Sequence, residues 1–142
     1  MSEKYYGKYR GVVTNNNDPK GAGRIKVRVP SITGDNETKW CLPCLPYVGG
    51  GHGNIFIPRV GDVVWIEFER GDKGYPIWTG CWLPTNNKLI GDTIIKTPDG
   101  TLHFRDGDIW FTNSIGNSIS VQWVIDEFKK TRDWADGRFK LK

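Results

Sequence analysis

The stretch that decides the fold is Phe56-Ile-Pro-Arg-Val-Gly-Asp-Val-Val-Trp-Ile-Glu-Phe68, in which a turn with proline and glycine leads into an apolar strand. Val63 to Phe68 is rich in β-branched and aromatic residues, which favour a buried β-strand. A second stretch repeats this design, since the polar turn residues from Thr14 to Gly23 precede the strictly alternating Ile25-Lys-Val-Arg-Val29. Pro30 ends that strand because proline cannot donate to a β-ladder. Both stretches predict a β domain.

Further short strands fit around these two. Tyr75–Trp82 is the predicted partner of the Val63–Phe68 strand, with a hairpin at 70–74 between them. Trp40–Leu45 is predicted as an edge strand because prolines lie within and beside it. The other predictions are strands at Tyr5–Val13 and Ile55–Ile57, a loop at Ser31–Lys39 and a flexible loop at Gly49–Gly53. About five short strands without a helical pattern indicate a small closed barrel.

The chain changes character after a polar linker at residues 83–87, which we take as a domain boundary. Short strands then recur every eight residues, with Asp-Gly and Ile-Gly pairs between them. This spacing is typical of a narrow β-prism or of a plain meander. The predicted strands are Thr93–Thr97, Thr101–Arg105 and Ile109–Asn113.

The last segment switches to a helical period. Its apolar positions lie opposite a charged face that contains Asp126, Glu127, Lys129 and Lys130. The sequence predicts a helix of roughly 16 residues, capped by Ser118 or Ser120 and stopped by Gly137. One apolar stripe needs a partner, which is either the barrel or a symmetry mate. The stripe consists of Val121, Val124, Ile125, Phe128 and Ala135.

Composition and charge exclude several classes of protein. The 142 residues carry a net charge of +4 and no Lys/Arg run longer than two, so the sequence shows no strong electrostatic footprint for nucleic acid. The N-terminus is polar, and no apolar stretch approaches the roughly 20 residues that span a bilayer. Three cysteines are an odd set, which argues against a disulfide framework and fits a reducing compartment. We therefore expect synthesis in a cytoplasm.

Three patterns resemble chemical sites but lack the necessary context. Cys41-Leu-Pro-Cys44 has redox spacing, yet no buried strand precedes it and no helix can follow it. Cys81 and His52 could complete a zinc site with these cysteines, but neither has partner spacing. The acidic residues are scattered through turns, and His103 lies in a predicted strand. The sequence therefore predicts no catalytic, cofactor-binding or metal-binding residues. The turn carboxylates are Asp18, Asp35, Asp72, Asp99 and Asp106.

An alternative function is binding of single-stranded nucleic acid. Basic side chains on the second strand and near it can meet phosphates, and aromatic rings can stack on bases. The simpler interpretation is that the basic residues form the solvent face of a half-buried strand. The candidate residues are Lys8, Arg10, Arg24, Lys26 and Arg28, with Tyr5, Tyr6, Tyr9 and Trp65.

Many of these turns and strands together resemble the oligosaccharide/oligonucleotide-binding (OB) domain of the central spike in contractile phage tails and related injection systems, the VgrG and baseplate-V group. The resemblance covers roughly residues 7–83, although Arg59 stands where an acidic residue is expected. The motifs that carry it are Gly11-Val-Val13, Asp18-Pro19, Gly23-Arg-Ile-Lys-Val-Arg-Val29, Trp40, Leu45-Pro-Tyr47, Ile57-Pro-Arg-Val-Gly-Asp-Val-Val64, Phe68, Gly71-Asp72, Tyr75-Pro76 and Thr79-Gly80.

The resemblance implies a mainly β fold: a five-stranded OB-like barrel, then short strands of a candidate intertwined β-prism, then one C-terminal α-helix. It divides the chain into the barrel at residues 1–84, the candidate stem of a trimeric needle at 85–117, and the helix and tail at 118–142. The needle is short for the family. The chain has neither the inserted lysozyme domain nor the His-x-His metal tip of some members.

The function implied by the resemblance is structural rather than enzymatic, namely a trimeric central spike or baseplate hub component that helps puncture a target envelope. Its implied partners are two further copies of the chain, a baseplate hub protein and a tip-capping protein, without cofactors and without nucleic acid. Its implied location is a virion tail baseplate or injection particle, after synthesis in a bacterial cytoplasm without a signal peptide. A single-stranded nucleic-acid-binding OB protein is the alternative, and the sequence does not distinguish phage, bacteriocin and secretion system.

Overall fold

The computed structural model describes residues 3–85 and 93–139, and the chain divides into two compact units, Met1–Lys88 and Leu89–Lys142. Part of the predicted linker at 83–87 therefore lies outside the described residues. The first unit contains β1 (Tyr9–Asn15), β2 (Lys26–Arg28), α1 (Pro30–Thr33), β3 (Leu42–Pro43), β4 (Val48–Gly49), β5 (His52–Gly53), β6 (Val63–Phe68), a 3₁₀ turn (Glu69–Gly71) and β7 (Pro76–Cys81). The second contains β8 (Thr93–Thr97), β9 (Gly100–Arg105), β10 (Asp108–Asn113), β11 (Ser118–Ser120) and α2 (Val121–Phe139).

The first unit is built on a curled five-stranded sheet in the order β2-β1-β6-β7-β3. All neighbours are antiparallel except β3, which runs parallel to β7. The two ends of this half-barrel meet at Ile25 and Cys41, since the Cys41 N–H donates to the Ile25 carbonyl at 2.7 Å and the Ile25 N–H donates to the Cys41 carbonyl at 3.3 Å. The mainly β fold expected from the sequence is confirmed.

The core of this unit follows the predicted alternation. In β6 the side chains of Val64, Ile66 and Phe68 point inward, and their neighbours in the strand are half-buried. Burying each such side chain contributes roughly 1.5–3 kcal/mol, so this strand is a large part of the stability of the unit. The buried core residues are Val13, Ile25, Val27, Val29, Cys41, Val64, Ile66, Phe68 and Trp78.

The turn that leads into β6 has the geometry that its proline and glycine predict. The Arg59 N–H donates to the Asp62 carboxylate at 2.7 Å, and the Asp62 N–H donates to the Arg59 carbonyl at 3.0 Å. Gly61 has a φ of 93°, a left-handed conformation that glycine adopts without steric cost. The chain therefore reverses within four residues and enters the core at Val64.

Three local predictions were wrong. Ile55–Ile57 forms no strand. Residues 49–53 belong to a β-hairpin rather than a flexible loop, because Gly50 and Gly51 form the two-residue turn between β4 and β5. The predicted loop after Pro30 begins instead with the short helix α1, since the fixed φ of proline suits the first helical position.

Glycine at position 11 permits the closest packing between β1 and its neighbours. A Cβ added there would lie 2.3 Å from Val27 Cγ1 and 3.2 Å from Ile66 Cγ1. Val27 belongs to β2 and Ile66 to β6, so the contact holds three adjacent strands around one point. Glycine is required at position 11 because the packing of the core leaves no room for a side chain, and not because a turn needs its backbone conformation.

The long turn between β1 and β2 is organised by Asp18. Its carboxylate accepts hydrogen bonds from the backbone N–H groups of Lys20, Ala22 and Arg24 at 2.8–3.2 Å. It also forms an ion pair with the Arg24 guanidinium, and the side chains of Asp18 and Arg24 are only 4% and 14% exposed. The hydrogen bond from Arg24, followed by the backbone donors, lowers the pKa of Asp18 well below its usual range.

The second unit contains a four-stranded antiparallel sheet in the order β11-β10-β9-β8, which confirms the three strands predicted there. The helix α2 follows β11 directly. Ser120 caps it as predicted, because its hydroxyl accepts the Trp123 N–H at 3.1 Å, whereas Ser118 belongs to β11. The prediction that Gly137 stops the helix was wrong, since α2 continues to Phe139.

The first prediction concerns Gly11→Ala. The added methyl group overlaps Val27, so we expect the free energy of unfolding of the first unit to fall by about 1–3 kcal/mol. Urea unfolding followed by tryptophan fluorescence measures it. Gly50→Ala is the matched control, since a Cβ at position 50 has no atom within 4 Å. Equal stability of the two variants would contradict the close approach of the three strands.

The second prediction concerns acid stability. A carboxyl whose pKa is lowered in the folded state stabilises the fold above its unfolded pKa of about 3.9, and this contribution is lost as the pH falls toward the folded value. Asp18→Asn is therefore expected to be less stable than the wild type at pH 7 and to lose less further stability below pH 4. Urea midpoints between pH 2 and 7 measure both effects, with the exposed Asp35→Asn as control. Parallel pH curves for wild type and Asp18→Asn would contradict the role of the Asp18 carboxylate.

Candidate assembly surface

One face of the second sheet carries a continuous row of apolar side chains. Ile95 of β8 lies opposite Leu102 of β9, Leu102 lies opposite Phe111 of β10, and Phe111 lies opposite Ile119 of β11. Directly opposed residues point to the same face of a sheet, so the row crosses all four strands. Three of these four side chains are 40–51% exposed, and Leu102 is half-buried.

A second apolar pair widens this row. Phe104 and Ile109 lie opposite each other, two residues along their strands from Leu102 and Phe111, and therefore on the same face. They are 43% and 36% exposed. We call this six-residue surface the apolar sheet face: Ile95, Leu102, Phe104, Ile109, Phe111 and Ile119.

The turns between the strands set the register that aligns these side chains. Asp106 and Gly107 join β9 to β10 with φ angles of 54° and 75°, the left-handed pair that a two-residue hairpin requires. A slip by one residue would move every apolar side chain to the other face. The Asp-Gly sequence therefore determines which face is apolar.

The opposite face lies close to the start of α2 and is mostly polar, with Ile94 and Trp110 half-buried among its polar side chains. The Arg105 guanidinium lies 4.7 Å from the ring centroid of Trp110. The Asp108 carboxylate accepts the backbone N–H groups of Ile109 at 2.7 Å and Gln122 at 3.2 Å. Burial favours a higher pKa for Asp108, but hydrogen bonds from Ser120 and from these backbone groups outweigh it and lower the pKa. These bonds hold the first turn of α2 against β10.

The basic and aromatic residues that suggested nucleic-acid binding lie in the first unit. Several of them contact one another or acidic side chains. Lys8 forms an ion pair with Glu67 at 2.8 Å. Arg10 lies over the rings of Trp65 and Trp82, with its guanidinium carbon 5.7 and 4.7 Å from their centroids. A ring covered by a guanidinium has one face less on which a base can stack.

The remaining members of that set have similar roles. Arg24 is paired with Asp18, and Lys26 forms an ion pair with Glu37 at 3.1 Å. Tyr5 and Tyr9 pack against Phe68 at the edge of the core, with ring centroids 6.1 and 5.6 Å away. Tyr6, which is 70% exposed, and Arg28 lie on the surface. The set forms no single cationic, aromatic groove.

The structure places the three cysteines in different environments. Cys41 is buried, and this burial raises the pKa of its thiol to about 11, only partly offset by a hydrogen bond with Thr38. A thiol with a raised pKa is a poor nucleophile and a poor metal ligand. Cys44 and Cys81 are exposed, although partial desolvation of the Cys81 thiol and the nearby Asp62 charge raise the pKa of Cys81. Across residues 3–85 and 93–139, no three His, Cys, Asp or Glu side chains are grouped so that they could hold a metal ion.

An open cleft of about 830 Å³ lies between the Asp18 turn and the β4–β5 hairpin. Its walls include the apolar side chains of Val48, Ile55 and Ile57, which are 37–56% exposed. The carboxylate in this lining is that of Asp18, which already accepts hydrogen bonds from Arg24 and from the backbone of its own turn. The His52 imidazole also lines the cleft, with its Nδ1 3.3 Å from the Gly50 carbonyl oxygen. The lining therefore holds one carboxylate that is already engaged and one imidazole, and the cleft offers mainly contact area.

The sequence contained part of the signal for the apolar sheet face, namely apolar residues at alternate positions of β9 and β10. What it did not reveal is that the exposed residues from the four strands align in one row. In the part of the chain that the structure describes, no helix is long and apolar enough to cross a membrane. The exposed side chains of the apolar sheet face lie on paired strands, where neighbouring polypeptide can cover them.

Comparisons with known proteins find relatives among spike proteins of type VI secretion systems. The chain is 38% identical over 47 residues to the type VI secretion system spike protein VgrG4b of Pseudomonas aeruginosa, a match that covers 33% of this chain and 6% of the relative. It is 36% identical over 62 residues to the spike protein VgrG3 of Vibrio cholerae, covering 41% of this chain and 6% of that protein. It is 32% identical over 71 residues to VgrG5 of P. aeruginosa, covering 47% and 9%.

The matched segments span less than a tenth of the length of these relatives. Residues 9–83, which run from the first residue of β1 to just beyond β7, match the family model of the type VI secretion system/phage-baseplate injector OB domain. The match covers more than half of the 142 residues, and the chain belongs to this family.

Proposed function

We propose that this protein is a non-enzymatic structural subunit of a contractile injection apparatus, in which three copies form a central spike or baseplate hub component. The observation that carries the proposal is the apolar sheet face of a unit that follows an injector OB domain. The three copies bury these faces against one another. The OB unit docks on a hub protein of the baseplate.

The physical reason for a trimer is the apolar surface area that a single copy leaves exposed to water. The five side chains of the apolar sheet face that are 36–51% exposed would each contribute to stability if they were covered, at roughly 25 cal/mol per Å² of apolar area. Among the residues that the structure describes, β8 is an outer strand of this sheet, and an outer strand presents backbone groups that another chain can pair with. Rotational symmetry satisfies both needs, because each copy covers the next.

The proposed mechanism is mechanical. A rigid threefold base transmits the force of sheath contraction to a tip that contacts and punctures the target envelope. The carboxylates and thiols described above support a role without catalysis, since Asp18, Glu37 and Glu67 are held in ion pairs and Cys41 is buried. A separate tip-capping protein completes the short needle.

The proposed location follows from this role. The protein resides in the baseplate of a virion tail or of a related injection particle, after synthesis in the bacterial cytoplasm. Its lasting contacts are with its own copies, the hub and the tip protein. Its contact with the target envelope is brief.

The third prediction tests the trimer with Phe111→Glu. A carboxylate in the centre of a buried apolar face costs several kcal/mol, so we expect trimer affinity to fall by at least about 100-fold. Native mass spectrometry and analytical ultracentrifugation over a range of protein concentrations measure the affinity. Lys96→Glu is the matched control, because it places a carboxylate on the other face of the same sheet. A wild-type protein that remains monomeric at high concentration would overturn the proposal.

The fourth prediction separates the proposal from the nucleic-acid alternative. Because Lys8, Arg24 and Lys26 are held in ion pairs, we expect an oligothymidylate of 20 nucleotides to bind weakly, with a dissociation constant no tighter than about 100 μM in 150 mM salt. Fluorescence anisotropy measures this. Tight binding that weakens steeply with salt, and that Arg10→Ala reduces, would favour the alternative.

A further inference from the structure

One long stretch of the first unit carries no formal charge. Residues 40–58 contain no Asp, Glu, Lys or Arg, whereas these residues make up 25% of the chain, so that about five would be expected among nineteen positions. The stretch includes the β4–β5 hairpin and the chain that follows it. Depletion of charged residues is typical of the centre of a protein–protein interface.

The same stretch exposes large apolar side chains. Those of Val48, Ile55 and Ile57 lie together, because they line the same open cleft. The core of the unit is formed by other residues. We call the following five residues, which are 37–62% exposed, the hairpin surface: Tyr47, Val48, Ile55, Phe56 and Ile57.

The hairpin is shaped by contacts that leave most of these side chains available. The Asn54 N–H donates to the Tyr47 carbonyl at 2.9 Å. The His52 imidazole packs over Gly49, where an added Cβ would lie 2.5 Å from its Nε2, and its ring centroid is 5.5 Å from that of Tyr47. Backbone pairing and one imidazole therefore define the hairpin, and its aliphatic side chains remain in contact with water.

The missing charges indicate which partner covers the hairpin surface. Around a rotational symmetry axis, equivalent residues of the copies lie close together, so a charged side chain there meets charges of its own sign. A surface that contacts a different protein can instead use opposite charges. An apolar surface without formal charge over nineteen residues therefore fits contact with further copies of the same chain.

The length of chain between the two units favours the same partner. Eleven residues, 82–92, join β7 to β8, and a segment of that length spans at most about 40 Å. Three copies that are joined through their apolar sheet faces therefore keep their first units at a local concentration on the order of millimolar. At such a concentration, even a modest apolar contact between the first units is populated.

We propose that the hairpin surfaces of three copies meet around the threefold axis. Tyr47, Val48 and Phe56 of each copy pack against the same residues of the other two. Burial of their exposed apolar area stabilises the assembly. This inference rests on the proposed trimer, and it gives the first unit a contact of its own between copies, besides the apolar sheet face.

The fifth prediction uses Phe56→Asp in the full chain. A carboxylate at this position is hydrated in a single copy, but in the assembly it loses water and meets two further carboxylates, so we expect trimer affinity to fall by at least about 10-fold. Tyr75→Asp is the matched control, because Tyr75 is an aromatic residue of the same unit outside the hairpin surface, with an exposure of 62% against 55% for Phe56. Analytical ultracentrifugation over a range of concentrations measures the affinity, and tryptophan fluorescence checks that each variant is folded.

Hydrogen exchange gives a second readout that leaves the hairpin unchanged. The amides of residues 46–58 are expected to exchange at least about 10-fold more slowly in the wild-type trimer than in monomeric Phe111→Glu, because packing between copies shields them. The charged turn at residues 69–75 is the internal reference, and it is expected to exchange equally fast in both proteins.

The outcomes separate this contact from the trimer itself. Weaker association of Phe56→Asp than of Tyr75→Asp, with slower exchange of residues 46–58 in the trimer, supports the contact. A wild-type trimer whose affinity is unchanged by Phe56→Asp, and in which residues 46–58 exchange as fast as in the monomer, overturns the contact and leaves the trimer intact, with the hairpin surface free for the hub protein. A wild-type chain that is monomeric at high concentration overturns both.

Discussion

The first unit depends on the close approach of three strands around Gly11. A side chain at this position would overlap Val27 of β2, and Ile66 of β6 lies almost as near. Since β1 pairs with both β2 and β6, this one contact sets how tightly the sheet curls. The curl brings Ile25 and Cys41 together, and their paired hydrogen bonds bridge the half-barrel.

The two units differ in how far they bury their apolar side chains. The first buries its strands around a common core, and its polar side chains are largely engaged in local contacts, such as those of Asp18 with Arg24 and of Arg10 with two tryptophans. The second is a single sheet whose apolar face has a low proportion of buried side chains. Covering a face of this kind with other polypeptide removes apolar area from water, and this is the physical basis of the proposal that the second unit mediates assembly.

Much of the fold was predictable because local sequence and tertiary structure agree there. The alternation of Ile25, Val27 and Val29 predicted one buried face, and all three are fully buried. Predictions failed where short segments depend on their neighbours. Ile55–Ile57 is as apolar as a strand but forms none. Residues 49–53 looked flexible because glycines dominate them, although Gly51, with a φ of 81°, allows the tight turn of the β4–β5 hairpin.

The sequence by itself determined the succession of most strands along the chain, the family of the first unit and the capped C-terminal helix. It did so because turn residues, β-branched alternation and helix caps act over a few residues. Only the tertiary structure decided that the basic and aromatic residues of the first unit contact acidic side chains, the core and one another, and that Ile95, Leu102, Phe111 and Ile119 form one exposed row. These features depend on which strands lie side by side, and that pairing joins residues far apart in the chain.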